Sequence, residues 1–163
     1  MDNYARVRTC VIFEHRKDTV YFTAKKAMAS ISRKEAREIL VGLLFETEFH
    51  QGEDVNAIFA LAVEDREIPS NEYISRGYFG VYDNLEQIDA LIGEHSKGWK
   101  TERMSKMSRS VLRLCVYEML YEDIPYRVSI NEAVELTKKF DDEKARPFVN
   151  GILNSVKNAL EAK

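Results

Sequence analysis

The chain has 163 residues, of which 45% are hydrophobic and 31% charged, and its formal net charge is −3. These values are typical of a globular protein with one domain and exclude a membrane protein, because no apolar run approaches the roughly 18 to 20 residues that span a bilayer. No apolar signal-peptide core occurs near the N-terminus, and the two cysteines, Cys10 and Cys115, match no disulfide or metal-site pattern. A cytoplasmic location is therefore expected.

The first 30 residues differ from the rest of the chain. Residues 7–13 and 19–23 are rich in β-branched and aromatic residues, and a polar segment separates them. This pattern favours a β-hairpin, although no Asn-Gly or Asp-Gly turn signal occurs. Met28 is a candidate natural start. We therefore divide the chain into an N-terminal extension (1–30) and an all-α domain (31–163).

From residue 32 onward the pattern is helical. Ser32 and Glu35 form an S-x-x-E capping box, which predicts the start of a first helix. Residues 54–67 carry a second apolar stripe. Residues 71–82 are rich in aromatic side chains, but two glycines weaken the prediction of a third helix there.

The next two predicted helices lead to the centre of the domain. Asn84, with Gln87 three residues on, can cap a fourth helix. Residues 108–121 carry an apolar stripe wide enough to predict the central and most buried helix, with Cys115 in its core. The dipeptide Ile124-Pro125 ends this helical stretch, because a residue before proline avoids the α region.

Two further amphipathic helices are predicted after the proline. Ser129 and Glu132 form a second capping box, which predicts a helix start at Ser129. After a charged break, a last helical stripe is made by Val149, Ile152, Leu153, Val156 and Leu160. Core packing explains these apolar residues, but not the polar Asn131, Asn150 and Gly151 set among them.

Basic residues cluster locally despite the negative net charge. One cluster is Arg33, Lys34 and Arg37, and a longer run contains Lys97, Lys100, Arg103, Lys106, Arg109 and Arg113. An RNA-binding protein needs local positive potential rather than a high overall pI. The alternative interpretation is that these residues are solvated helix faces.

The sequence gives little support for catalysis. Its histidines, His15, His50 and His95, lie in unrelated segments, and none accompanies a nucleophile motif. No nucleotide-binding or metal-ligand spacing is found. We therefore expect no enzyme activity, no cofactor and no metal.

Several ordered segments carry a family resemblance. Residues 128–140 (VSINEAVELTKKF), followed by residues 148–154 (FVNGILN), resemble the C-terminal signature of the NusB family of bacterial transcription antitermination factors. Residues 32–38 are similar to the arginine-rich start of the family's first helix, and residues 108–119 to its central helix. The resemblance covers about residues 30–160 and implies an all-α fold of two three-helix bundles side by side.

The resemblance implies a function and partners. NusB-type proteins pair with NusE, a ribosomal protein, and together they bind the boxA element of nascent single-stranded RNA. Acting with other Nus factors, that complex helps RNA polymerase pass terminators, notably on ribosomal RNA operons. Family members occur as monomers and as homodimers, and both states stay open for this chain.

The resemblance also implies which residues contact RNA. In the family, the first helix and the loop before the last helix form most of the RNA-contacting side. The matching positions here are Arg33, Lys34, Arg37, Phe45, Lys144, Arg146, Phe148 and Asn150.

The chemistry of these residues suits RNA. Arg33 and Arg37 share a helix face and could neutralise neighbouring phosphates, while Phe45 and Phe148 could stack on unpaired bases. Asn150 could read a base edge. The alternatives are that Phe148 is a core anchor, that Asn150 shapes a helix entry, and that the arginines pair with surface acids.

A separate face is expected to bind NusE. We place it along the central helix near Arg109, Arg113, Tyr117 and Glu118. Tyr117 and Glu118 match family positions where an exposed face is expected. The alternative for Tyr117 is packing between the two bundles. Ser108 stands where the family commonly has an acidic residue. This difference is expected either to remove one contact to NusE or to leave Ser108 only as a helix cap. Pro147 departs as well and is expected to stiffen the loop before Phe148.

Two other functions remain open from the sequence. NusB-like domains also occur attached to RNA cytosine methyltransferases, where they help bind ribosomal RNA. A helical adaptor that binds only proteins is the second alternative. Steep salt dependence would indicate RNA binding, whereas an apolar adaptor contact would not weaken with salt.

Overall fold

The computed structural model describes residues 31–96 and 103–162. Within these ranges the chain forms helices and no strand, which confirms the predicted all-α fold. The predicted β-hairpin and the basic residues Lys97 and Lys100 lie outside the described residues. The described helices are α1 (Arg33–Thr47), α2 (Val55–Asp65), α3 (Glu72–Asp83), α4 (Leu85–His95), α5 (Lys106–Tyr121), α6 (Tyr126–Phe140) and α7 (Ala145–Glu161).

Helix α5 is the centre of the fold. It packs against α1 and α3 on one side and against α4, α6 and α7 on the other. Helices α1–α3 form one group and α5–α7 a second, with α4 packed against α5 and α7 of the second group. The two groups agree with the bundles side by side that the resemblance implies. None of the seven described helices has both the length and the apolar character that a bilayer-spanning segment requires.

The apolar stripe of α5 is buried as predicted. Val111, Leu112, Leu114 and Val116 are almost completely inaccessible to solvent. Cys115 lies among them, and burial, with a smaller contribution from the nearby Glu118 carboxylate, raises the pKa of its thiol well above the ordinary value. Core packing is therefore the role of Cys115.

The first predicted capping box is confirmed. The backbone N–H of Glu35 donates to Ser32 Oγ at 3.2 Å, and the backbone N–H of Ser32 donates to Glu35 Oε2 at 2.8 Å. These reciprocal hydrogen bonds satisfy two backbone donors that helix formation would otherwise leave unpaired. They fix the start of α1 and with it the position of the basic residues that follow.

The second predicted capping box is wrong. Helix α6 begins at Tyr126, with Pro125 as its N-cap, so Ser129 lies buried within the first turn and does not cap it. The fixed φ of proline suits a helix start, and Pro125 O accepts a hydrogen bond from Val128 N at 2.8 Å. Asn84 also does not cap α4, because its Nδ2 donates to Gly80 O at 2.8 Å on the preceding helix.

Helix α3 runs without interruption through both of its glycines. A Cβ added at Gly77 would lie 2.5 Å from the Leu40 side chain, and one added at Gly80 would overlap the Tyr117 ring. The glycines therefore allow α3 to approach α1 and α5 closely. This packing outweighs the weak helix propensity of glycine.

Candidate nucleic-acid and partner interfaces

The first turn of α1 presents two exposed basic residues, Arg33 and Lys34. The Arg33 guanidinium lies over the ring of Tyr73, with its carbon 4.2 Å from the ring centre. A guanidinium on an aromatic face is attracted by the ring quadrupole and is held in one orientation. The side chain of Arg33 is thus positioned at the surface.

Arg37 is in a different environment from Arg33, although the two share a helix face. Arg37 is only 4% exposed, its Nε donates to Glu118 Oε1 at 2.9 Å, and its Nη1 lies 3.8 Å from Glu132 Oε2. Burial alone would lower the pKa of Arg37, but Glu118, together with Tyr73 and Glu132, outweighs this effect and raises the pKa. The expectation that Arg37 lies at the surface is therefore corrected, because its charge is compensated inside the protein.

Tyr73 links Arg33 to this buried pair. Its hydroxyl donates to the same Glu118 oxygen at 2.5 Å. Burial and the Glu118 carboxylate raise the pKa of Tyr73, so the hydroxyl remains a donor. One carboxylate of α5 therefore fixes both the ring beneath Arg33 and the guanidinium of Arg37.

The segment expected to be a loop before the last helix is helical. Helix α7 begins at Ala145, so Arg146, Phe148 and Asn150 lie in its first two turns and only Lys144 precedes it. Pro147 is accommodated in the first turn because the backbone N–H that proline lacks would have no intrahelical partner there. The loop prediction for residues 145–150 is corrected.

The side chains of this segment have mixed surroundings. Lys144 and Asn150 are exposed, and Arg146 is half-buried. Phe148 is half-buried and packs against the core, as the core-anchor alternative expected. Asn150 Oδ1 accepts a hydrogen bond from Asn154 Nδ2 at 3.0 Å.

An aromatic patch lies at the opposite end of α1. Phe45 packs edge-to-face on Phe49 with ring centres 5.1 Å apart, and Phe49 is 60% exposed. The Lys106 ammonium lies 3.7 Å from the centre of the Phe49 ring and donates to Glu48 O at 2.9 Å. We call Phe45, Phe49 and Lys106 the aromatic patch. With 12 residues between Arg33 and Phe45, the patch is about 18 Å from the first turn.

Glu48 is buried directly beside the aromatic patch. Its carboxylate forms ion pairs with Arg109 and Arg113 of α5. Arg113 also donates from Nε and Nη2 to the two carboxylate oxygens of Asp89, at 2.7 and 2.6 Å. Burial alone would lower the pKa of Arg113, but Asp89 and Glu48 outweigh it and raise the pKa.

The four residues expected to form a partner-binding face are all buried. Arg109 and Arg113 are each 8% exposed, Tyr117 4% and Glu118 1%. Tyr117 packs beneath Gly80, and its hydroxyl donates to Arg76 O at 3.4 Å. The expected exposure of Tyr117 and Glu118 is wrong, because α1 and α3 cover this side of α5. The surroundings of Tyr117 agree with the stated alternative, in which its ring packs between the two bundles.

Ser108 forms an internal contact at the start of α5. Its Oγ donates to Asp141 Oδ2 at 2.5 Å, and Ser105 Oγ donates to the same oxygen at 2.7 Å. Burial alone would raise the pKa of Asp141, but these hydrogen bonds outweigh it and lower the pKa. Ser108 is thus tied to the end of α6, while Ser105 is the residue that caps α5.

Sequence reasoning assigned no role to Tyr73, Glu48 or Phe49, and it identified Lys106 only as a member of the basic run. The i, i+4 spacing of Phe45 and Phe49 indicates neighbouring rings on a helix and could have suggested the patch. No sequence signal marks the contacts of Tyr73 and Glu48, whose partners lie 45 to 65 residues away along the chain. Among the described residues, no His, Cys, Asp and Glu side chains gather in a way that could hold a metal ion.

Comparisons with known proteins agree on one family. The NusB family model matches residues 34–158. The transcription antitermination protein NusB of Bacillus pumilus (strain SAFR-032) is 40% identical over 132 residues, which are 80% of this chain and 98% of that protein. The solved structure of T. maritima NusB matches with a TM-score of 0.71 and 33% identity, over 79% of this chain and 92% of that one. A chain in the crystal structure of antitermination factors NusB and NusE with double-stranded RNA matches with a TM-score of 0.69 and 30% identity, over 78% and 96%.

Proposed function

Because this chain belongs to the NusB family, we propose that it is a transcription antitermination factor that binds boxA-type RNA together with a NusE subunit. It acts in the cytoplasm on elongating RNA polymerase, through other Nus factors and notably on ribosomal RNA operons. It works by binding and not by catalysis. The matched relative from Bacillus pumilus is covered almost completely, which favours this function over a domain attached to an RNA methyltransferase.

One observation carries the RNA-binding part of the proposal. The exposed Arg33 guanidinium lies over the Tyr73 ring, with exposed Lys34 beside it at the start of α1. Positioned cations can neutralise neighbouring phosphates, and a planar guanidinium can also stack on a base. Lys144, Arg146, Phe148 and Asn150 supply further contacts from the start of α7. Arg37 supports this surface from beneath.

The NusE subunit docks on the aromatic patch. Phe49 is a large exposed apolar side chain whose backbone is fixed, because Glu48 beside it is buried against Arg109 and Arg113. Rigid aromatic anchors of this kind dominate the energy of protein interfaces. Phe45, expected from the resemblance to stack on RNA, belongs to this patch. Arg109 and Arg113 position the patch through their ion pairs with Glu48. Glu118 instead positions Tyr73 and Arg37 beneath the first turn of α1.

RNA binding is tested with labelled single-stranded boxA-like RNA, a scrambled RNA of equal length and a duplex of the boxA-like sequence. Anisotropy is measured across a salt series, with and without purified NusE. We expect a preference for the boxA-like strand that increases when NusE is added, and an affinity that falls steeply with salt. Equal affinity for all three RNAs would contradict boxA recognition. Absence of RNA binding would favour the protein adaptor.

The docking surface is tested separately with Phe49→Ala. This change should weaken NusE association by about tenfold or more while sparing RNA binding by the isolated protein. Leu61→Ala is the matched control, because Leu61 is a 68% exposed apolar residue on α2, a helix that contributes no residue to the patch. Equal effects of the two substitutions on NusE association would contradict this assignment.

A further inference from the structure

A surface cavity of about 330 Å³ lies between the first turns of α1 and α3. Ile31, Arg33 and Ala36 line it on the α1 side, and Asn71, Glu72, Tyr73 and Arg76 line it on the α3 side. The Glu72 carboxylate lies 3.7 Å from Arg76 Nη1, so it offsets part of the positive charge here. Its volume is at the lower end of the roughly 300–1,000 Å³ range of small-ligand sites, and a single base is smaller than such ligands. The cavity is therefore large enough to take one unit of a nucleic-acid chain.

The Arg33–Tyr73 stack forms one wall of this cavity. The Arg33 guanidinium lies over the Tyr73 ring, with its carbon 4.2 Å from the ring centre, and Tyr73 is buried and anchored to Glu118. Arg33 is exposed and lines the cavity, so the opposite face of the guanidinium is accessible from it. A planar, weakly hydrated guanidinium is a favourable surface for a second flat ring.

Two further groups provide directed hydrogen-bond donors. Asn71 uses its side-chain oxygen to cap α3, accepting from Ile74 N at 3.2 Å, which leaves its NH₂ group for a ligand. Arg76 is held by two hydrogen bonds to the carboxylate of Glu122, at 2.9 and 2.8 Å. Both donors are thus fixed before a ligand arrives, which lowers the entropic cost of binding.

We propose that this cavity is a nucleotide subsite that takes one unstacked base of the bound RNA. The base lies on the free face of the Arg33 guanidinium and completes a Tyr73–Arg33–base stack, with Asn71 and Arg76 donating to its polar edge or its phosphate. Unpaired RNA bases are commonly bound on arginine planes in this way. This inference rests on the proposed RNA-binding function and adds a defined position within it.

The test is an abasic scan with the full-length chain. Each nucleotide of the single-stranded boxA-like RNA is replaced in turn by an abasic residue, and the affinity is measured for wild type and for Arg33→Lys. Lysine keeps the charge but cannot stack. In the wild type, one abasic position should lower the affinity about tenfold, as expected for the loss of one stacked base.

The Arg33→Lys variant should bind the intact RNA about tenfold more weakly and lose nothing more at that abasic position. Arg127→Lys at an exposed site on α6 is the matched control and should keep the wild-type profile. An identical abasic profile in wild type and Arg33→Lys would overturn the subsite and leave RNA binding intact. Failure of the wild type to bind any RNA would overturn the proposed function and the subsite together.

Discussion

Arg33 at the start of α1 and the arginines of α5 have opposite surroundings. Arg33 is exposed on the ring of Tyr73, whereas Arg109 and Arg113 are buried and form ion pairs with Glu48. Burying a charge is tolerated only when an opposite charge and hydrogen bonds compensate for the loss of water. The positions of acidic side chains therefore decide which arginines remain at the surface for a ligand.

The buried residues of α5 nevertheless serve both proposed surfaces. Glu118 fixes Tyr73 and Arg37 beneath the first turn of α1. Arg109 and Arg113 fix Glu48 beside the aromatic patch at the other end of the same helix. The central helix thus determines the position of both ends of α1 through side chains that are themselves buried.

The largest expected effect comes from removing the carboxylate that pairs with the buried arginines. Glu48→Ala leaves Arg109 and Arg113 without their shared partner and should lower the free energy of unfolding by about 3–5 kcal/mol. Urea denaturation measures this change. Glu46→Gln is the control, because the Glu46–Arg66 pair is partly exposed and its loss should cost about 1 kcal/mol or less. A loss of unfolding free energy in Glu48→Ala no larger than in Glu46→Gln would contradict the expected difference between buried and exposed ion pairs.

A change at Arg37 separates a stabilising role from contact with RNA. Arg37→Met leaves the buried Glu118 charge without its main cation and should lower the free energy of unfolding by about 3 kcal/mol. Well below the unfolding transition, RNA affinity should fall less in Arg37→Met than in Arg33→Ala. RNA affinity is measured by anisotropy on protein shown to be folded by circular dichroism. A larger loss of affinity in Arg37→Met than in Arg33→Ala would indicate that Arg37 contacts RNA.

Substitution of two glycines by alanine should have opposite effects on stability, because one glycine is packed against the interior and the other is exposed. Gly80→Ala forces the Tyr117 ring to move and should lower the free energy of unfolding by about 1–3 kcal/mol. At Gly151, in the exposed part of α7, an added Cβ meets nothing within 4 Å. Gly151→Ala should therefore raise the free energy of unfolding by about 0.5–1 kcal/mol. Thermal melts of the two variants should shift in opposite directions, and shifts of the same sign would refute the assignment.

The smallest effect concerns Asp141, which joins the end of α6 to the start of α5. Because its pKa is lowered in the folded state, its contribution to stability is present above its unfolded pKa of about 3.8 and is lost as the pH falls through the lower folded value. Asp141→Asn should cost about 1 kcal/mol near neutral pH and progressively less below pH 3.8. Urea denaturation from pH 7 to pH 3 measures this, with Glu143→Gln, an exposed neighbour, as control. A cost that does not change with pH would contradict it.

Local features were predictable from the sequence and long-range pairs were not. The Ser32–Glu35 capping box and the buried stripe of α5 depend on residues a few positions apart, and both were predicted correctly. The S-x-x-E motif at Ser129 gave a wrong helix start, because Pro125, four residues before Ser129, is the N-cap of α6. Arg33 and Arg37 lie on the same face of α1, yet only Arg37 is buried, because it pairs with Glu118. Glu118 lies 81 residues later in the sequence, so no local pattern indicates this contact.

Cys115 offers a further use, as a reporter of rare opening events. Its thiol is buried within α5, and its raised pKa keeps it in the unreactive protonated form. A small alkylating reagent can therefore modify it only when the interior around α5 opens. In a chain with Cys10 replaced by serine, the alkylation rate under native conditions would measure how often the interior opens. Repeating the measurement with bound RNA or NusE would show whether either ligand suppresses that opening.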